Sequence, residues 1–199
     1  MFVKRLFDVI TSLTVLFFCW PIFIGIALAI AIDSRGGVFY KQIRVGKDGV
    51  HFGLLKFRTM RTGSDKAGQL TVGEKDNRIT GVGYVLRKTK LDEIPQLLNI
   101  LLGDMSVVGP RPEVPKYVAY YNEEQQQVLS VKPGLTDYAS LEYLKENELL
   151  AKSENPEKTY IEEIMPAKLA LNLKYIKEQN LLVDLQIIVN TIFKIFKTY

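Results

Sequence analysis

From Val9 to Ile32 the chain carries 24 consecutive residues without a charge, mostly Leu, Ile, Val, Phe and Ala. About 20 helical residues, rising 1.5 Å each, cross the ~30 Å hydrocarbon layer of a bilayer, so this run predicts a membrane-embedded helix. It is also longer than the ~7–15 apolar residues of a cleaved leader. Pro21 sits near its middle, where the missing N–H predicts a kink. Lys4 and Arg5 precede the run, and Arg35, Lys41, Arg44 and Lys47 follow it. Basic flanks mark the cytoplasmic side, and here both flanks carry them. A hairpin that enters and leaves by one face satisfies both, and a simple span remains the alternative. Asp8, just inside the apolar boundary, is expected to pair with Lys4 or Arg5.

Beyond residue 35 the pattern changes period. Residues 38–58 read as two short strands around Gly46-Lys47-Asp48-Gly49, a β-hairpin, with His51 beside the turn as a surface residue. Residues 61–80 are polar and read as a loop. Leu91, Ile94, Leu97, Leu98, Leu101 and Leu102 recur at helical spacing, and Gly103 is a natural stop. A stiff loop follows, in which Pro110 and Pro112 fix the backbone on either side of Arg111. Helices are predicted at about 113–129, 142–151, 159–179 and 181–197. The last has one broad apolar face, including Leu182, Leu185, Val189, Phe193 and Phe196, with Lys194 and Lys197 near its end. That face suits either a membrane interface or the core. The expected fold is mostly helical α+β, with a membrane segment over 1–35 and a single membrane-associated domain over 36–199.

Charge sharpens this picture. Residues 1–90 hold 15 Lys/Arg against 6 Asp/Glu, whereas residues 91–199 hold 11 against 16. A basic half next to a membrane segment predicts anionic partners, such as lipid headgroups or phosphates. A nucleic-acid partner has no recognition motif or stacking platform to support it. Gly81-x-Gly83 lacks the third glycine of a dinucleotide fingerprint, because Leu86 stands in its place. The single cysteine, Cys19, lies in the apolar run, so no intrachain disulfide forms.

The candidate chemistry lies at Asp92-Glu93. Thr89 three residues before Asp92 is compatible with ordinary helix capping. The surroundings point further, since Arg87, Lys88 and Lys90 immediately precede the pair, Lys56, Arg58 and Arg61 lie upstream, and Arg111 follows. Cations around a helix start make an anion site, in which two carboxylates would repel phosphate. They make sense if a divalent cation bridges carboxylate and phosphate, or if a carboxylate attacks phosphorus. The cations are expected to keep Asp92 ionised, as a nucleophile requires. A non-catalytic adaptor binding anionic lipid would explain the charge split but would leave the acidic pair without a role.

Five motifs occur in order: Lys4-Arg5-x-x-Asp8 before an apolar helix, Lys56-Phe57-Arg58-Thr59-Met60, Leu91-Asp92-Glu93-x-Pro95-Gln96-Leu97-x-Asn99, Gly103-Asp104-Met105-Ser106-x-Val108-Gly109-Pro110-Arg111-Pro112 and Lys132-Pro133-Gly134-Leu135-Thr136. Together they resemble the bacterial sugar transferases, the small monotopic phosphoglycosyl transferases. The resemblance implies transfer of a sugar 1-phosphate from a UDP-sugar to polyprenyl (undecaprenyl) phosphate, with release of UMP and a need for Mg²⁺. It implies Asp92 as nucleophile and metal ligand, and Glu93 as an aid to lipid-phosphate protonation or to the metal. Lys56, Arg58, Arg87 and the Pro110-Arg111-Pro112 turn would hold substrate. It further implies a membrane helix broken at Pro21 and re-entrant, and a site on the cytoplasmic face of the bacterial inner membrane. The donor sugar and dimerisation stay open. After Thr136 the chain departs from the family's common Gly-Trp-Ala-Gln continuation, and acidic residues 142–163 form either a donor-side cap or a solvated face.

Overall fold

A computed structural model describes residues 2–64 and 76–198. Most of the segment read as a polar loop at 61–80 therefore lies outside the described residues. Helix α1 (Phe2–Asp33) carries the apolar run as one continuous helix with Pro21 inside it. The hairpin break expected at Pro21 is not seen; one missing backbone hydrogen bond can bend a helix without ending it. Of its 32 residues only Asp8, Ser12, Ile26 and Ile30 are buried. Phe17, Phe18 and Trp20 stand largely exposed, an apolar face that water would not favour.

The predicted hairpin forms as antiparallel strands β1 (Phe39–Val45) and β2 (His51–Phe57), paired from Phe39↔Phe57 to Val45↔His51, with His51 exposed. Next comes α2 (Gly81–Lys88), which the periodicity did not predict. Thr80 caps it by accepting from the Gly83 amide at 3.0 Å. A Cβ at Gly83 would overlap the Thr59 carbonyl, so this glycine lets α2 lie against the end of the hairpin.

The helix expected from Leu91 is divided. Leu91–Glu93 form a short 3₁₀ turn, and α3 (Gln96–Leu102) begins after Pro95. Thr89 does not cap Asp92; its hydroxyl donates to the carbonyls of Val85 and Leu86 at the end of α2. Gly103 ends α3 in the left-handed conformation (φ 96°), as its position suggested.

The stiff loop contains a strand, β3 (Ser106–Val108), which pairs in parallel with β4 (Gly134–Thr136). A Cβ at Gly134 would collide with the Gly109 backbone, so the Lys-Pro-Gly and Gly-Pro-Arg-Pro motifs are two sides of one close backbone contact. Between these strands lie short helices α4 (Pro115–Val118) and α5 (Glu123–Gln126) where one longer helix was expected. Asn122 interrupts that helix by forming a capping box with Gln125.

After β4 come α6 (Tyr138–Glu142), α7 (Glu146–Ala151), α8 (Pro156–Thr159) and, through a π-helical turn at Tyr160–Ile164, α9 (Met165–Glu178). Helix α10 (Leu181–Thr198) completes the described chain. One of its faces buries Asp184 and Ile187, while the opposite face exposes Leu182, Leu185, Val189 and Phe193. The buried face packs into the core, as one sequence reading expected, and the exposed face is left apolar. The architecture is a mostly helical α+β fold with two small sheets and a long apolar N-terminal helix.

The polar ends of α1 are fastened to this body. Asp8, 3% exposed, accepts from Ser106 Oγ at 2.9 and 3.0 Å and from the Val107 amide at 2.9 Å, in place of the expected pairing with Lys4 or Arg5. Lys4 bonds Asp184 at 2.5 Å and the Val108 carbonyl at 3.0 Å, and Arg5 reaches the last carbonyls of α3. At the other end Ile26 and Ile30 pack with Phe57 and Leu86, and Arg58 donates to the carbonyls of Ser34 (2.7 Å) and Arg35 (2.5 Å).

Candidate active site

The 3₁₀ turn places Asp92 and Glu93 in the lining of a cleft of about 1280 Å³ that also reaches Lys56, Arg58, Arg87, Lys90 and Arg111. The turn is entered through Lys90, a non-glycine residue held at φ 59°. Such a conformation persists only where surrounding contacts fix it. Next to the turn, Asn99 clips α3 to β2. Its Oδ1 accepts from the Leu55 amide and its Nδ2 donates to the Gly53 carbonyl, each at 2.9 Å. This contact aligns Lys56 on β2 with the turn.

Glu93 is fully engaged. It takes the Lys56 ammonium at 3.0 Å and both terminal nitrogens of the Arg111 guanidinium, Nη1 at 3.2 Å and Nη2 more closely. Burial alone would raise its pKa, but Arg111 and Lys56 override that and hold the carboxyl well below the ordinary range. Conversely, Glu93 raises Arg111 further against its burial. Glu93 is thus held as an anion between two cations, which it orients in turn.

Asp92 has the opposite environment. It is 6% exposed, and its Oδ1 has no hydrogen-bond partner among the described residues. Burial, with the neighbouring Glu93 charge, pushes its carboxyl above the ordinary range, against the pull of Lys56, Lys90 and Arg87. Of the cations expected to keep Asp92 ionised, Lys56 and Arg111 instead contact Glu93. A buried carboxylate oxygen without a donor has a high free energy and gains by bonding a cation or an electrophile.

Arg111 is held by its backbone as well as by Glu93. Its amide donates to Asp137 Oδ2 at 3.1 Å, the Pro110 carbonyl accepts from Gly134 at 2.9 Å, and the Pro112 carbonyl accepts from Arg44 Nη1 at 2.9 Å. Pro110 is buried behind this loop, while Pro112 lines the cleft. The prolines therefore aim Arg111 rather than offer donors of their own. Arg58 reaches the cleft, but its terminal nitrogens are committed to the end of α1. Arg87 lines the cleft from the last turn of α2.

Arg44, Asp137 and Asn99 escaped identification as site residues, since their roles depend on contacts far along the chain. Asp137 alone had a local signal: it begins α6 as an N-cap, accepting from the Ser140 amide at 2.6 Å. No group of three or more His, Cys, Asp or Glu side chains suited to a metal occurs among the described residues. A divalent ion here would have Asp92 as its protein ligand and take its remaining oxygens from a bound phosphate.

A buried, unpartnered carboxylate beside fixed guanidinium and ammonium groups, close to an exposed apolar helix, can hold a phosphorylated ligand against a nucleophile at a membrane surface. Residues 1–198 match the family model described as bacterial sugar transferase, and the chain belongs to that family. It is 33% identical to the UDP-glucose:undecaprenyl-phosphate glucose-1-phosphate transferase of Escherichia coli (strain K12), over 97% of this chain and 40% of that protein. The protein of the same description from Caulobacter vibrioides is 36% identical, over 98% of this chain and 70% of its own. The exopolysaccharide production protein PSS of Rhizobium leguminosarum bv. phaseoli is 37% identical, over 95% and 92% respectively. The chain thus spans less than half of the Escherichia coli relative and nearly all of the Rhizobium one.

Proposed function

We propose that this chain is a phosphoglycosyl transferase that moves a sugar 1-phosphate from a UDP-sugar to undecaprenyl phosphate. The observation that carries this reading is Asp92, a buried carboxylate with an unpartnered oxygen in a cleft of cations, in a chain of the bacterial sugar transferase family. A carboxylate oxygen of Asp92 attacks the β-phosphorus of the donor. The bond from that phosphorus to UMP breaks, and UMP departs with the bond's electrons. The sugar phosphate stays on Asp92 as a mixed anhydride. A phosphate oxygen of the lipid then attacks the same phosphorus, freeing the carboxylate and forming the polyprenyl diphosphate sugar. Arg111, aimed by Glu93, and Lys56 and Arg87 stabilise the phosphoryl oxygens. The unpartnered Asp92 oxygen fits Mg²⁺, which when bound would neutralise diphosphate charge.

For the membrane arrangement, the bonding of both ends of α1 to the same charged body supports a re-entrant segment over a simple span. Residues 1–35 enter and leave one leaflet, bent at Pro21, and residues 36–199 lie on the cytoplasmic face with the outer side of α10 at the interface. A tag at Met1 should be reached by reagents from the cytoplasm, and labelling solely from the periplasm would overturn this topology.

Intact-protein mass spectrometry tests the chemistry. With a panel of UDP-sugars and no lipid, the protein should gain one sugar phosphate and release stoichiometric UMP. Asp92→Asn should abolish both, and an undiminished burst in that variant would reject Asp92 as nucleophile.

A further inference from the structure

Besides Asp92 Oδ1 and Arg58 Nε, two buried hydrogen-bonding atoms of residues lining the cleft lack partners among the described residues. Asn172 on α9 is 4% exposed and its Oδ1 bonds nothing among the described residues; the Oγ of Ser140 on α6 is likewise buried and unpartnered. Both residues line the same cleft as Asp92. Helices α6 and α9 pack together, with the Tyr138 and Tyr175 rings meeting edge to face at 6.1 Å. Ser140 is tied closely to the phosphate end of the cleft, since Asp137 accepts from the Ser140 amide through one oxygen and from the Arg111 amide through the other. The wall carrying these orphan atoms is thus fixed relative to Arg111. A fold does not gain by burying hydrogen-bonding atoms without partners. Two of them, on packed helices whose residues line one cleft, mark where a ligand's polar edge belongs.

We infer that Asn172 and Ser140 form a subsite for a flat amide-like edge of the donor, an N–H beside a carbonyl. A carboxamide offers both a donor and an acceptor, and a hydroxyl offers either. A UDP-sugar has two sources of such an edge: the imide of the uracil ring, and the acetamido group of an N-acetylated sugar. The inference rests on the donor being a UDP-sugar, as proposed above. It makes Asn172 and Ser140 selectivity residues, of which Ser140 lies in the segment that departs from the family's common continuation.

The test measures binding without turnover. Dissociation constants for UMP, UDP-glucose and UDP-N-acetylglucosamine are determined for Asp92→Asn protein, alone and combined with Asn172→Leu or Ser140→Ala. Loss of a well-placed hydrogen bond to a buried site weakens affinity by roughly tenfold or more. If uracil occupies the subsite, all three ligands weaken together; if the acetamido group does, only UDP-N-acetylglucosamine weakens. Unchanged affinities in both variants, with melting curves showing folded protein, would overturn the inference and leave the two atoms to ordered water. Asn172→Asp keeps the shape and one acceptor, and serves should the leucine variant fail to fold. If the parent protein binds none of the three ligands, the donor assignment itself fails, an outcome separate from failure of the subsite.

Discussion

Replacing Glu93 by Gln tests whether this residue is a fixed anion holding two cations in place. In the native site its carboxylate faces Lys56 at 3.0 Å and both terminal nitrogens of Arg111. The side chains of Glu93, Lys56 and Arg111 are 12%, 18% and 31% exposed, so little water screens the cluster. Removing one member of a buried ion pair costs about 3–5 kcal/mol, because the remaining charge is left uncompensated. Glutamine still offers one acceptor, and the partial exposure of Arg111 allows some screening. The expected loss is therefore about 2–4 kcal/mol. At about 2–4 °C per kcal/mol for a chain of this size, the melting temperature should fall by roughly 5–15 °C. The pH dependence adds a second check. A carboxyl whose folded pKa is depressed contributes stability that is present above its unfolded value, about 4.3, and is lost as pH falls through the lower folded value. The gap between native and variant protein, followed by thermal unfolding in lipid nanodiscs, should thus stay constant from pH 8 to about pH 5 and close only in stronger acid. A variant melting within about 1 °C of native protein, or a gap already closing between pH 7 and 6, would refute the fixed-anion role.

Two further outcomes follow from the same geometry. Burial raises the Asp92 carboxyl, so single-turnover adduct formation should lose rate on acidification at a pH above that of an ordinary aspartate, about 3.9; a rate flat down to pH 4 would contradict the buried setting. Asp8→Ala removes the acceptor of three hydrogen bonds at the junction of α1 and β3, leaving the buried donors unpaired. It should destabilise by about 1–3 kcal/mol and increase protease cleavage near residue 8, and unaltered melting and cleavage would remove Asp8 as the anchor.

Within the sequence, local rules carried a good deal. The length and apolarity of residues 9–32 determined a long, exposed apolar helix suited to a bilayer, because the hydrophobic requirement of a bilayer is read residue by residue. The β-hairpin, the stop at Gly103 and the two-faced C-terminal helix came from period and turn chemistry in the same way. The concentration of cations around Asp92-Glu93 was also visible, since Lys88 and Lys90 are neighbours in the chain. What the chain could not reveal was the division of labour within that acidic pair. Lys56 lies 37 residues from Glu93, and Arg111 lies 18 residues away. Only the packing of β2 and the Pro-Arg-Pro loop around the 3₁₀ turn decides which carboxylate they touch. Burial is likewise a property of the whole body, and it separates two adjacent acids into one held anionic by its partners and one raised and left unpartnered. The anchoring of both ends of α1 was hidden for the same reason: Asp8 finds Ser106 and Arg58 finds the carbonyls of Ser34 and Arg35 through contacts made only on folding. Periodicity and charge depend on near neighbours, whereas desolvation and ion pairing depend on everything within a few ångströms, which the fold alone assembles.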